Sequence, residues 1–176
     1  MSTRSFLKLF WPGIMFFSSL PAFGQTEFPK EFIAHARVQS GLATAPGNNP
    51  DLFVGGVQLV AQQTILAYRL RGGLTGGFFY TNTQLHGTAG PTISLKLMDL
   101  KGGEFGSLGN LHLTLDHLWG TGQQRLLGGS LNLDLLNKLV VGLSAHRDYR
   151  LQNWWLQSGI AFRVSKVKKP PETFPN

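Results

Sequence analysis

From Trp154 onward the chain alternates. Trp154, Leu156, Ser158, Ile160, Phe162 and Val164 fall on one face of an extended segment. Trp155, Gln157, Gly159, Ala161, Arg163 and Ser165 fall on the other. The first set is large and apolar apart from Ser158, and the second is mostly small or polar. A period of two marks a β-strand whose two faces meet different surroundings. The split recurs upstream. Leu139, Val141, Leu143 and Ala145 oppose Val140, Gly142, Ser144, His146, Asp148 and Arg150, with Val140 out of pattern. Leu127, Gly129, Leu131, Leu133 and Leu135 oppose Gly128, Ser130, Asn132 and Asp134. Leu111, Leu113 and Leu115 oppose His112, Thr114 and Asp116, and Ile93, Leu95 and Leu97 oppose Thr92, Ser94 and Lys96. A third segment sets Leu66, Tyr68, Leu70, Leu74 and Phe78 against Arg69, Arg71, Gly73 and Thr75. A second sets Phe53, Val57 and Leu59 against Gly56, Gln58 and Gln62, with Val54 and Val60 out of pattern. The first sets Phe32, Ala34, Ala36, Val38 and Leu42 against His35, Arg37 and Gln39.

These segments predict about eight strands, an even number, each near the length that crosses a bilayer at a tilt. The expected fold is all-β, a single antiparallel up-and-down barrel. Gln62-Gln63-Thr64 and Leu136-Asn137-Lys138 read as tight turns, while Ala43 to Asp51 and Thr81 to Ala89 read as longer loops. Short turns on one side and longer loops on the other suit an outer-membrane barrel. The Gly-rich link from Met98 to Leu108 and the short connection from Tyr149 to Asn153 fit that asymmetry less well. Pro91 cannot donate to a ladder, so the fourth strand is expected to begin at Thr92 or to carry a bulge there.

Alternation alone does not say which face is inside. The polar faces are rich in Gly, Ser, Thr, Asn and Gln, whereas soluble surfaces carry more Lys and Glu. They suit the filled interior of a small barrel, where Arg37, Arg69, Arg71, Lys96 and Arg163 can pair with Asp116 and Asp134. Aromatic residues gather at strand ends. Phe53, Phe78, Tyr80, Trp119, Tyr149, Trp154 and Trp155 mark one rim and Tyr68 and Phe162 the other, as expected of girdles at a bilayer interface. His117, on the apolar face, is tolerable near such an interface. Both features point to a transmembrane barrel with its apolar face outward.

Composition sharpens this picture. Of 176 residues, 22 are glycine and only 14% are charged, against about a quarter in ordinary soluble domains. Cysteine is absent, which excludes disulfides, thiolate metal sites and cysteine nucleophiles. The formal charge is +7, but apart from Lys166, Lys168 and Lys169 the basic residues are scattered, so nucleic acid is not an expected partner.

Residues 1–24 read as a secretory signal peptide. Arg4 and Lys8 form its basic region, Leu9 to Leu20 its apolar core, and Pro21-Ala22-Phe23-Gly24 its cleavage region, with cleavage expected near Gly24. Removing it lowers the formal charge to about +5. The apolar run is too short for a spanning helix. Residues 25–166 are then the barrel, and 167–176, without strand pattern, a disordered periplasmic tail.

With these features the chain resembles the small eight-stranded outer-membrane proteins of the OmpX and OmpA-transmembrane type over about residues 27–166. The resemblance is architectural and carries no family-specific motif. The last strand, ending Ile160-Ala161-Phe162-Arg163-Val164, looks like a barrel-assembly signal, although a tail follows it. The resemblance implies insertion into the cell outer membrane by the barrel-assembly machinery, contact with outer-membrane lipids, and an envelope protein as a further possible partner.

Some barrels of this type remodel lipid A through His, Ser or Asp residues near the outer rim. The corresponding candidates are Ser144, His146 and Asp148, with His86 on another strand. Neighbours two apart on a strand are about 6.6 Å apart, too far for a direct nucleophile–base contact. They read more simply as members of the interior network. No cofactor is expected. No metal is expected either, since His35, His86, His112, His117 and His146 lack ligand spacing. Eight strands leave no wide pore. The expected role is structural or interactive, through loops, rim or tail. The alternatives are a lipid-A-modifying enzyme, a soluble lipocalin-like barrel, and a subunit of an export or conjugation assembly.

Overall fold

The computed structural model describes residues 31–44, 52–66, 69–81, 84–101, 107–135 and 138–165. The signal segment 1–24 and the tail 167–176 lie outside the described residues, as does Tyr68.

Eight strands follow one another: β1 (Phe32–Thr44), β2 (Leu52–Leu66), β3 (Leu70–Thr81), β4 (Gln84–Lys101), β5 (Ser107–Gly120), β6 (Arg125–Leu135), β7 (Leu139–Asp148) and β8 (Asn153–Arg163). Each pairs antiparallel with the next, and β8 pairs with β1, which closes the barrel. Closure satisfies the two edges that an open sheet of this length would expose. Phe32 and Arg163 lie at what is here the lower end, and Thr44 and Trp154 at the upper end, where they pair with each other across the closing seam.

Each sequence face keeps its side. Val38, Leu42, Val57, Leu74, Ile93, Leu115, Leu131, Leu143 and Ile160 point outward and are exposed. Gln39, Gln58, Thr75, Ser94, Thr114, Asn132, His146 and Gln157 point inward and are buried. The barrel is apolar outside and polar through most of its interior.

The strand ends depart from the sequence reading in four places. Gln62-Gln63-Thr64 is no turn; it belongs to β2, which runs on to Leu66, whose O accepts from Arg69 N at 3.2 Å. The polarity of Gln62 is a lumen feature, because its amide bonds Ser94 and Thr92 inside the barrel. Leu66 accordingly ends β2 instead of opening β3. The long loop expected over Thr81 to Ala89 is almost wholly strand, with only residues 82–83 between β3 and β4. Its small and polar residues continue the ladder from Thr81↔Gln84 to Gly76↔Ala89. Met98 to Lys101 is also strand, leaving 102–106 as the connection. Upper and lower connections therefore do not separate by length.

Pro91 is the fourth departure. Here β4 neither starts at Thr92 nor bulges. Pairing with β5 lapses at Gly90 and Pro91 and resumes at Thr92↔Asp116 in the register that held at Ala89↔Trp119. The missing amide faces β5, while Leu74↔Pro91 keeps the ladder to β3. Pro91→Val restores that donor opposite His117 and is expected to raise the unfolding free energy by about 0.5–1.5 kcal/mol, one net hydrogen bond. Reversible urea unfolding of the two chains measures it.

A bulge does occur lower on β4, where the register steps between Lys96 and Met98. Leu97 and Met98 both end up exposed, so the parity of the strand inverts below them. Asp99 is thereby turned inward, to the same side as Lys96.

Candidate functional site

The interior is built in layers. Near the upper end Ala43, Val54, Phe79, Leu118, Leu126 and Trp155 form one apolar cluster, each at most 4% exposed. Phe79 and Trp155 meet edge to face with ring centroids 5.7 Å apart. This cluster plugs the barrel. Val54, which breaks the sequence pattern, belongs to it. Val60 and Val140, the other exceptions, bury inside lower down with Ile33 and Ala161.

Below the plug runs a connected polar network. Gln62 Nε2 donates to Ser94 Oγ at 2.8 Å and to Thr92 Oγ1 at 3.2 Å. Ser94 Oγ is 2.8 Å from Thr114 Oγ1, which accepts from Asn132 Nδ2 at 3.0 Å. Asn132 Nδ2 also reaches Ser130 Oγ at 2.8 Å, and its Oδ1 accepts from Arg37 Nη2 at 3.1 Å. At Gly142, across the ladder from Asn132, a Cβ would sit 2.2 Å from that Oδ1; glycine leaves the room in which the amide turns toward Arg37. The gap beside Arg37, Gln39 and Ser144 is too small to hold a water molecule. Ser94→Ala removes the link between Gln62 and Thr114. It is expected to cost about 1–2 kcal/mol in urea unfolding, because the buried Gln62 amide loses its best partner.

The charges pair at the lower end. Arg163 Nη2 donates to Glu31 Oε2 at 2.7 Å, with both side chains nearly inaccessible. Lys96 pairs with Asp99 across the bulge. Arg71 is 2% exposed and lies in the field of Asp134 and Glu31, while Asp116 acts on Arg37. Buried charges persist when they are compensated in this way.

The structure thus gathers Arg37, Arg71, Lys96, Asp116, Asp134 and Arg163 inside the barrel. Arg69 lies in the turn just before β3, half-buried. Sequence reasoning missed Glu31 and Asp99. Glu31 shares the inward parity of Ile33 and His35 but precedes the apolar pattern. Asp99 has the wrong parity until the bulge corrects it.

Of the aromatic residues, Phe53, Phe78, Tyr80, Trp119, Tyr149 and Trp154 point outward at the upper end, each 43–60% exposed. Phe162 is exposed at the lower end. Trp155 differs: it points into the plug and is 2% exposed, since it alternates with Trp154 on the same strand.

The chemical candidates serve the scaffold. Ser144 Oγ donates to Gln157 O at 3.4 Å. His146 Nε2 lies 3.4 Å from Asp116 Oδ2. Asp148 Oδ1 accepts from the amides of Arg125, Arg150 and Leu151, at 3.3, 3.0 and 3.0 Å, and so shapes the β7–β8 turn. That turn closes through Gln152, at φ 59°. His86 sits on β4 beside the β5–β6 turn, next to Gly122. These four groups do not converge. Among the described residues no cluster of three or more His, Asp or Glu is placed to hold a metal ion.

The fold and interior define a closed eight-stranded antiparallel β-barrel with a plugged, polar-lined core. No family model matches the chain, and no curated protein matches it. Among solved structures it is similar to one described as "De novo design of transmembrane beta-barrels". The two share 14% identity over 77% of this chain and 97% of that one, with a TM-score of 0.47.

Proposed function

We propose that this chain is a membrane-spanning barrel of the outer membrane, exported through residues 1–24 and inserted by the barrel-assembly machinery. It acts there as a structural or interaction component, through its rims, loops and tail and not through its middle. One observation carries this reading: the barrel is inverted relative to a soluble one. Leu, Ile, Val and Phe side chains stand 41–67% exposed around its circumference, while Glu31, Asp99, Asp116, Asp134 and Asp148 are all turned inside. Water would penalise such an outer surface at about 25 cal/mol per Å²; a bilayer does not. On β8 the outward apolar run extends from Trp154 to Phe162, eight residue steps, or about 26 Å along the strand. At the usual tilt that covers most of a band about 25 Å tall.

A wide pore does not fit the plug at the upper end and the bonded network below it. A lipid-modifying activity would need a nucleophile and base within reach of each other, and Ser144 and Asp148 are committed to backbone groups instead.

Fractionation and gel migration test the reading together. The protein is expected to leave the envelope only with detergent, and an unboiled sample to migrate faster than a boiled one. Release by salt, with identical migration, would overturn it.

A further inference from the structure

The outward surface of β5 to β8 changes character at the upper end. His117, Leu127, Arg147 and Trp154 lie side by side in one row across the four strands. One step higher Trp119 pairs with Arg125, and Tyr149 N bonds Arg125 O at 3.1 Å. Arg150 is exposed in the adjoining turn. Three guanidinium groups therefore share this sector of the rim. Arg125 and Arg147 are diagonal neighbours on adjacent strands, with Cα atoms about 7–8 Å apart.

The aromatic residues between them are organised. His117 Nε2 is 3.1 Å from Tyr149 OH, and its ring centroid is 4.6 Å from that of Trp119. The Arg147 guanidinium lies 5.4 Å from the Trp154 ring centroid and donates to Gln152 Oε1 at 2.7 Å. These contacts hold the arginine against the outer wall without neutralising it.

Among the described residues no carboxylate forms an ion pair with these three arginines. Every Asp and Glu among the described residues points into the barrel, and Asp148, in the same turn, is fully buried on three amides. The interior balances its own arginines, whereas the rim arginines are left facing outward. Charge complementarity then calls for an external anion at the level where aromatic rings meet a bilayer interface.

We propose that this sector is a binding site for the phosphate of an anionic lipid headgroup. Arg125, Arg147 and Arg150 supply charge-assisted hydrogen bonds, and Trp119, Tyr149 and Trp154 pack the glycerol or sugar and upper acyl segments. Guanidinium suits the role because its planar donors match phosphate oxygens in pairs. The site rests on the membrane reading above and specifies which lipid the barrel keeps beside it.

The test reconstitutes the full chain in phosphatidylcholine vesicles containing trace spin-labelled lipid, either phosphatidylcholine or phosphatidylglycerol. The motionally restricted spectral component gives their relative association. Wild type is expected to prefer phosphatidylglycerol by about fivefold or more, the worth of a single arginine near the surface. R125Q/R147Q/R150Q is expected to bring the ratio near unity, and R125K/R147K/R150K to retain most of the preference. Heat-modifiable migration confirms that each variant is folded. Equal restriction of both lipids by wild type would overturn the headgroup site and leave the barrel in its membrane. Restriction of neither would overturn the membrane reading itself. A preference that survives the glutamine variant, or that millimolar inorganic phosphate abolishes, would also overturn the site, the latter in favour of a soluble phosphate.

Discussion

Leu143→Arg is expected to destabilise the barrel by about 2–4 kcal/mol when folding is measured by urea titration in lipid vesicles. Leu143 stands 67% exposed on the outer face of β7, paired with Leu131 and Ser158 near mid-strand. In water an exposed leucine is a cheap position to charge, and surface changes of this kind stay within about 0.5 kcal/mol. In hydrocarbon the guanidinium must be dragged to an interface or hydrated locally, and the strand pays for either. The same substitution at Leu151, exposed in the upper turn, is expected to cost no more than about 1 kcal/mol, because interface positions are nearly indifferent to charge. A flat response at both sites would mean that the outer wall faces water.

Trp155→Ala is expected to cost about 3–5 kcal/mol in the same titration. The indole is 2% exposed, packed edge to face on Phe79 within the upper plug. Its removal leaves a cavity between rigid strands, whose ladders prevent the wall from collapsing inward. Trp154→Ala, one residue earlier, removes an outward ring that is 46% exposed and lies against Arg147. It is expected to lose well under half as much. The pair of variants isolates the direction of a side chain from its chemistry, since residue type and strand are shared. Equal losses would contradict the inward placement of Trp155.

Much of this barrel was legible before any coordinates. The faces read from Leu139 to Ala145 and from Trp154 to Val164 are the faces observed, because a strand with unlike surroundings must alternate to satisfy both. Eight alternating segments give eight strands. The ends were read less well. Gln62-Gln63-Thr64 looked like a turn because polar residues without apolar neighbours resemble one, yet they carry the lumen network. Residues 81–89 looked like a loop because they are small, and small residues pair as well as large ones when the neighbouring strand is long enough.

The site was half legible. Arg37, Arg71, Lys96, Asp116, Asp134 and Arg163 announce themselves as charges on inward faces. Their partners do not. Arg163 meets Glu31 from the other end of the chain, at 2.7 Å, and nothing local to either residue says so. Asp99 reaches Lys96 only because the register slips by one between them.

The sequence by itself determined which way most strand side chains point, how many strands there are, and that Arg37, Arg71, Asp116, Asp134 and Arg163 belong to one polar face. Period and composition are local properties, and a strand reports them residue by residue. Tertiary structure decided the level at which side chains meet. Closure of β8 on β1 and the stagger between neighbours set Val54, Phe79, Leu118, Leu126 and Trp155 together as a plug. The same stagger brought Arg125 and Arg147 to one stretch of rim. Register is a property of pairs of strands, fixed by hydrogen bonds across the whole circle, and no single segment contains it.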